Sequence, residues 1–207
     1  GPQGEALSKR LGTLSLRDLR ARGVAPMAVL SLMARLGSSE PVELRQDVSD
    51  VVDGFDLEKF GSAPTKFDEA DLDPLTARFL AAQPLSVVAD RVAALGVPDA
   101  LAERFWTVVR DNIASLDEMS NWWAVFRDGA KPQIVEEDAD FVAQALGLLG
   151  DAPYDDETWS AWTSAVKEAT GRKGKGLFMP LRHAVTGRTR GPEMADVMPL
   201  LQIKPKG

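Results

Sequence analysis

The residues best suited to grip an anion or a base edge are gathered near the end of the sequence. Gly174-Lys175-Gly176-Leu177-Phe178-Met179-Pro180-Leu181-Arg182 runs on through His183 to Gly187 and then to Arg188, Arg190, Gly191 and Pro192. An Arg guanidinium presents five N–H donors in a flat fork, and a Lys ammonium adds a mobile point charge. Arg172, Lys173 and Lys175, in the basic glycine-rich turn at 171–176, are placed to hold phosphates, as are Arg188 and Arg190. The run is not a nucleotide P-loop, because the G-x-x-x-x-G-K-[ST] spacing is missing and no strand precedes it. A second basic quartet, Leu7-Ser8-Lys9-Arg10 behind Gly4-Glu5, has the small and cationic character that follows phosphate charge in a transition state. Its bland alternative is a solvated terminus.

Other chemistries are excluded by inventory. With no Cys there is no disulfide framework, thiolate metal site or cysteine nucleophile, and the single His, His183, cannot build a multi-histidine metal centre. No metal site is expected. Five Trp at positions 106, 122, 123, 159 and 162 lie at helical spacings and read as core. The net charge of −7 speaks against a nucleic-acid partner until its distribution is considered. Residues 167–207 carry nine Lys or Arg against three acids, whereas residues 1–166 carry 15 against 28. A polyanion can thus be held at the basic end while the acidic remainder repels indiscriminate binding; from charge alone, a solvated C-terminal charge cluster is the more ordinary reading.

The elements that must position these groups are helical nearly throughout. Val24 to Leu36 has Pro26 in its first turn and Gly37 at its end. Asp68 to Gln83 opens on an acidic cap and stops at Pro84, and Leu85 to Leu95 is closed by Gly96. Pro98 to Asn112 sets Leu101, Phe105, Val108 and Val109 on one face. Ser115 to Glu118 has the pattern of a capping box, opening a helix through Trp122 and Trp123 to about Phe126. Asp128 to Pro132 has turn composition and is the expected boundary. Helices follow over Glu136–Leu149 and Asp155–Thr170, a short apolar segment over Phe178–Val185, and a last helix over Pro192–Leu201. No window alternates as a half-buried strand does, so the fold class is all-α, in two or more packed bundles. No apolar run approaches the roughly 20 residues that span a bilayer, which predicts a soluble cytoplasmic chain without a membrane partner.

Three stretches together resemble the bacterial glutamyl-tRNA synthetase family, from its ATP-site signature loop to near its C-terminus. Gly4 to Arg10 resembles the K-M-S-K-S or K-L-S-K-R loop, with Ala6 where the first Lys is usual. Lys66-Phe67-Asp68 with Leu72 resembles the F-D-x-x-K-L segment, with Asp71 in place of the usual Lys. Gly174 to Arg182, continued to Gly187 and Gly191-Pro192, resembles the K-G-x-x-x-P-L-R-x-A-L-T-G-x-x-x-x-P run. The resemblance covers residues 4–207 and includes no nucleotide-binding half. Gly1-Pro2 reads as a protease-cleavage scar, so the chain is expected to be an excised C-terminal piece that is inactive alone.

The resemblance implies an elongated helical cage for an anticodon. Its expected parts are a tag scar and signature-loop remnant over 1–12, a region like the family's stem-contacting helices over 13–75, and anticodon-binding bundles over 76–130 and 131–207. It implies that Leu7, Ser8, Lys9 and Arg10 belong to an ATP site, and that ATP and Mg²⁺ serve the whole ligase while this piece holds no cofactor. It also implies that Arg182 contacts the first anticodon bases, that Gly191 and Pro192 read the middle base, and that Met194 packs near the first. Asn112 falls where synthetases strict for glutamate tRNA carry an Arg that tests the third base, so the partners implied are tRNA for glutamate and, through that departure, tRNA for glutamine. A monomer is expected. The competing reading is a helical protein-interaction domain whose basic tail is incidental.

Overall fold

The computed structural model describes residues 15–206 except Ala63, Pro64 and Gln133. The described residues form eleven α-helices joined by short 3₁₀ turns, and their one β-contact is an isolated bridge between Ser38 and Phe60. No helix among them is long and apolar enough to cross a membrane. The chain divides into two compact units. The first runs to Pro84 and includes Ile113–Glu118, while the second comprises Leu85–Asn112 and Met119 onward. The turn at Asp128–Pro132 therefore lies inside the second unit.

The first unit holds α1 (Leu16–Ala21), α2 (Pro26–Met33), α3 (Val48–Asp53) and α4 (Leu72–Ala81). Ser15 and Asp18 close a capping box on α1, a segment that the hydrophobic period does not mark. Asp47 caps α3 by accepting from the Asp50 amide at 2.9 Å, and Asp68 caps the 3₁₀ turn that feeds α4. The core is small: Leu19, Ala25, Ala28, Leu32, Leu72 and Leu75, with Phe67 and Phe79 packed beside it. Two loop amides reach buried hydroxyls, Ala25 donating to Thr76 at 3.2 Å and Arg45 to Ser31 at 2.9 Å.

The second unit holds α5 (Leu85–Ala94), α6 (Asp99–Val109), α7 (Glu118–Asp128, from Met119 onward), α8 (Glu136–Leu148), α9 (Thr158–Thr170), α10 (Lys175–Thr186) and α11 (Met194–Val197). Phe105, Trp106, Trp122 and Phe126 are at most 1% exposed and form an aromatic centre. Phe105 meets Trp123 and Phe126 edge-on at 5.6 and 6.1 Å, a favoured arrangement for ring quadrupoles. Trp162 buries its indole and donates to the Ala145 carbonyl at 2.7 Å, joining α9 to α8. Downstream chain is tied to α7 where the Gln202 amide donates to the Phe126 carbonyl at 2.8 Å.

Two boundaries differ from the sequence expectation. The segment expected to be short and apolar over Phe178–Val185 is the inner part of α10, which carries Pro180 within it. The last helix is a single turn, α11, followed by a 3₁₀ turn at Met198–Leu200 with Pro199 in its first positions.

Candidate nucleic-acid interface

The basic run is built around a proline placed where a helix normally cannot keep one. Pro180 has no amide to donate to the Gly176 carbonyl four residues back. Arg172 supplies the missing donor: its Nη1 lies 3.3 Å from that carbonyl oxygen. The same guanidinium pairs with Asp138, lies 4.0 Å from the centroid of the Phe141 ring, and reaches the Glu137 carbonyl at 3.5 Å. Arg172 is thus only partly exposed and holds α8 against α10. Internal partners on α8 and α10 thus engage part of the fork that the sequence placed for phosphate. Lys173 and Lys175 are exposed, as expected.

α10 ends in a left-handed glycine, Gly187 at φ +67°. Thr186 then fastens the exit, its hydroxyl donating to the Arg182 carbonyl at 2.8 Å and accepting from the Arg188 amide at 3.1 Å. One helical turn ahead of Thr186, the Arg182 side chain reaches across the loop, and its Nη1 donates to the Pro192 carbonyl at 2.9 Å. Arg182 therefore braces the turn that the sequence placed it beside, and the motif joins into one structure. Gly191, at φ +147°, occupies backbone space that side-chain-bearing residues rarely adopt. Its missing Cβ also leaves room for an indole: a Cβ there would stand 2.7 Å from Cη2 of Trp122.

Arg188 is partly buried, with its guanidinium 4.2 Å from the Trp122 ring centroid. Arg190, between it and Gly191, is exposed. Met194 is 3% exposed at the start of α11. It packs in the core with Val197, because α11 turns its apolar side inward. Leu7, Ser8, Lys9 and Arg10 lie outside the described residues.

Asn112 lies in the 3₁₀ turn after α6, and its Nδ2 donates to the Val108 carbonyl at 3.3 Å. Some 80 residues from the glycine-proline turn in sequence, it shares one cavity with it. A cavity of about 930 Å³ is lined by Asn112, Gly191 and Pro192 together with Arg104, Asp111, Asp156, Glu193 and Asp196, among others. Arg104 is held across it by Asp156, with contacts of 2.6 and 3.3 Å, and that hydrogen-bonded carboxylate raises the Arg104 pKa above its ordinary value. Five acids, Glu103 among them, thus line this cavity against one paired Arg. Such a wall disfavours phosphate and suits amino and imino donors on a base edge, while the cations that suit phosphate, Arg190, Lys173 and Lys175, are exposed at the surface of the unit.

Sequence reasoning missed Trp122, Thr186 and the acidic lining. The paired tryptophans at 122 and 123 are visible in sequence, but which of the two meets the turn is not. Trp159 also departs from the expectation of a core residue: it is partly exposed, 6.3 Å from the Phe178 ring.

Residues 83–203 match the anticodon binding domain family. Over 208 aligned residues the chain is 65% identical to glutamate–tRNA ligase 1 of Cereibacter sphaeroides, covering 100% of this chain and 47% of that protein. It is 66% identical to glutamate–tRNA ligase 2 of Jannaschia sp. over 205 residues, covering 99% and 46%. The chain spans about half the length of the curated relatives it matches. A crystal structure of glutamate-tRNA synthetase from Elizabethkingia anophelis superposes with a TM-score of 0.68 at 18% identity, covering 97% of this chain and 46% of that one, a likeness of fold.

Proposed function

This chain belongs to the anticodon binding domain family, and from that premise we propose that its second unit reads the anticodon of tRNA for glutamate as part of a glutamate–tRNA ligase. The observation that carries the reading is the brace from Arg182 to the Pro192 carbonyl. It fixes a glycine-proline turn beside an acidic cavity, with exposed cations nearby, which is the combination a splayed-out base and its phosphate require. In this reading Gly191 offers its backbone groups to the middle base, and the buried Pro192, whose carbonyl Arg182 holds, fixes the shape of the turn. Arg182 orients that turn and directs its remaining donors to neighbouring bases, Arg190, Lys173 and Lys175 hold phosphates, and Met194 supports the turn from within the core.

Asn112 carries the finer proposal. It lines the same cavity, and its short amide turns to suit either acceptor or donor edges. A strict test for the third base needs a group that favours C over G. We propose that Asn112 leaves this selection permissive, so that tRNA for glutamine is also accepted.

The whole ligase would join glutamate to tRNA with ATP and Mg²⁺. No step of that chemistry is assigned to the residues described, and the chain by itself is expected to form no adenylate, because none of the described residues positions an α-phosphate against a carboxylate.

The test is a titration of the chain with tRNA for glutamate against the same tRNA carrying a changed anticodon, at several salt concentrations. Weaker binding of the changed tRNA, with affinity falling as salt rises, supports the reading. Equal binding of both would leave the interaction-domain reading in its place.

A further inference from the structure

The turn over Arg188–Pro192 touches one large buried side chain from a distant helix, Trp122 of α7. Its indole is 1% exposed, and its Nε1 has no hydrogen-bond partner among the described residues. A buried N–H without a partner is unfavourable, so something other than hydrogen bonding retains an indole here. The contacts show what that is. The far end of the ring, Cη2 and Cζ2, lies 2.7 and 3.2 Å from where a Cβ on Gly191 would stand, and Nη1 of Arg182 lies 3.7 Å from the same point. The ring also carries the Arg188 guanidinium 4.2 Å from its centroid. A benzene ring on the same backbone would not reach as far. The extra length of the indole fills the space beside Gly191, and its π-face holds Arg188 by cation–π attraction.

We propose that Trp122 is a positioning residue for anticodon recognition: it sets the path of the Arg188–Pro192 turn and the seat of Arg188 without itself touching RNA. The proposal rests on the reading of this turn as the one that reads a base. Trp123 provides a matched comparison. It is 3% exposed, its Nε1 is likewise without a partner, and it packs edge-on against Phe105 at 5.6 Å. The two residues share chemistry and burial and differ in their neighbours.

The experiment compares wild type, Trp122→Phe and Trp123→Phe with two readouts. Without RNA, NMR follows the Gly191 backbone amide and the Arg188 Nε–H signals. Trp122→Phe is expected to move both, since the ring current and the packing change together, while Trp123→Phe leaves them near wild-type positions. Unmoved signals in Trp122→Phe, or equal movement in both variants, would overturn the proposal. With RNA, the ratio of affinities for the tRNA for glutamate and a tRNA changed at the middle anticodon base is expected to fall about tenfold in Trp122→Phe and to hold in Trp123→Phe. A ratio retained in both sinks the positioning role. A wild-type ratio of one sinks the anticodon reading instead, and the RNA-free spectra still decide whether Trp122 sets the turn. Should Trp122→Phe fail to fold, Arg188→Gln keeps the indole in place. It is expected to move the Gly191 amide and lower the ratio, and no change in either would overturn the stacking argument.

Discussion

The two units reach stability by different means. In the first, helices are six to ten residues long, and the core is small aliphatic side chains. Val48, Val52, Phe55 and Leu57 stay 46–75% exposed around α3. Side-chain caps at Ser15, Asp47, Asp56 and Asp68 close its shortest elements, while α2 and α4 have none, and ion pairs from Arg22 to Glu69 and from Arg35 and Lys59 to Glu40 tie its separate segments together. In the second, helices reach 13 residues and most lack a side-chain cap, while packed aromatic rings supply the burial. Short helices cannot nucleate on propensity alone, so capping matters most where packing is thin. An aromatic centre also gives an irregular loop something rigid to lean on, which is how Trp122 meets Gly191.

The sharpest way to break the comparison is to empty the aromatic centre. Trp106→Ala removes a fully buried indole and is expected to cost the second unit about 3–5 kcal/mol. Denaturant unfolding, with helicity and tryptophan fluorescence as probes, measures it. A loss below about 1 kcal/mol would mean that the rings are not what holds this unit.

The next effect tests the cavity. Asn112→Arg is expected to add a charged donor facing the third base and to favour tRNA for glutamate over tRNA for glutamine by about 1.5–3 kcal/mol, roughly ten- to hundredfold. Competitive binding of the two tRNAs reads it, and an unchanged ratio would show that this position does not govern the choice.

Arg182→Ala follows, at about 1–3 kcal/mol of lost tRNA affinity, because the turn loses its brace as well as its donors. Lys204→Ala, in the tail beyond α11, serves as the comparison and is expected to cost little. Equal losses in a filter-binding assay at fixed salt would remove Arg182 from the interface.

The smallest effect belongs to the first unit. The Ser49 hydroxyl, and then the Asp50 amide, hold the Asp47 carboxyl below its ordinary pKa. A carboxylate with a depressed folded pKa stabilises the fold above the ordinary carboxylate range and loses that contribution as pH falls through the folded value. Asp47→Ala is therefore expected to lower the thermal midpoint slightly at neutral pH and to make it less sensitive to acid. A pH series of thermal melts on both proteins checks this, and parallel curves would count against the cap.

The sequence alone determined the fold class and the existence of most of the longer helices, though not the start of α10. Apolar spacing in Phe105, Val108 and Val109, Gly96 and Pro84 are local signals, read through propensity and steric limits that need no partner. The Gly174–Pro192 motif was legible for the same reason, since its glycines and proline impose backbone shape wherever they stand. α1 and α3 escaped because six-residue helices show no full hydrophobic period, only a cap. Tertiary structure decided which groups are free. Arg172 spends part of its guanidinium on the carbonyl that Pro180 leaves without a donor, and Met194 is buried because α11 turns inward. Trp122 and Trp123 are equivalent in a sequence; only packing sends one ring to Gly191 and the other to Phe105. Asn112 and Gly191 meet across a cavity because helices packed through their cores bring distant turns to one surface, and no local rule encodes that distance.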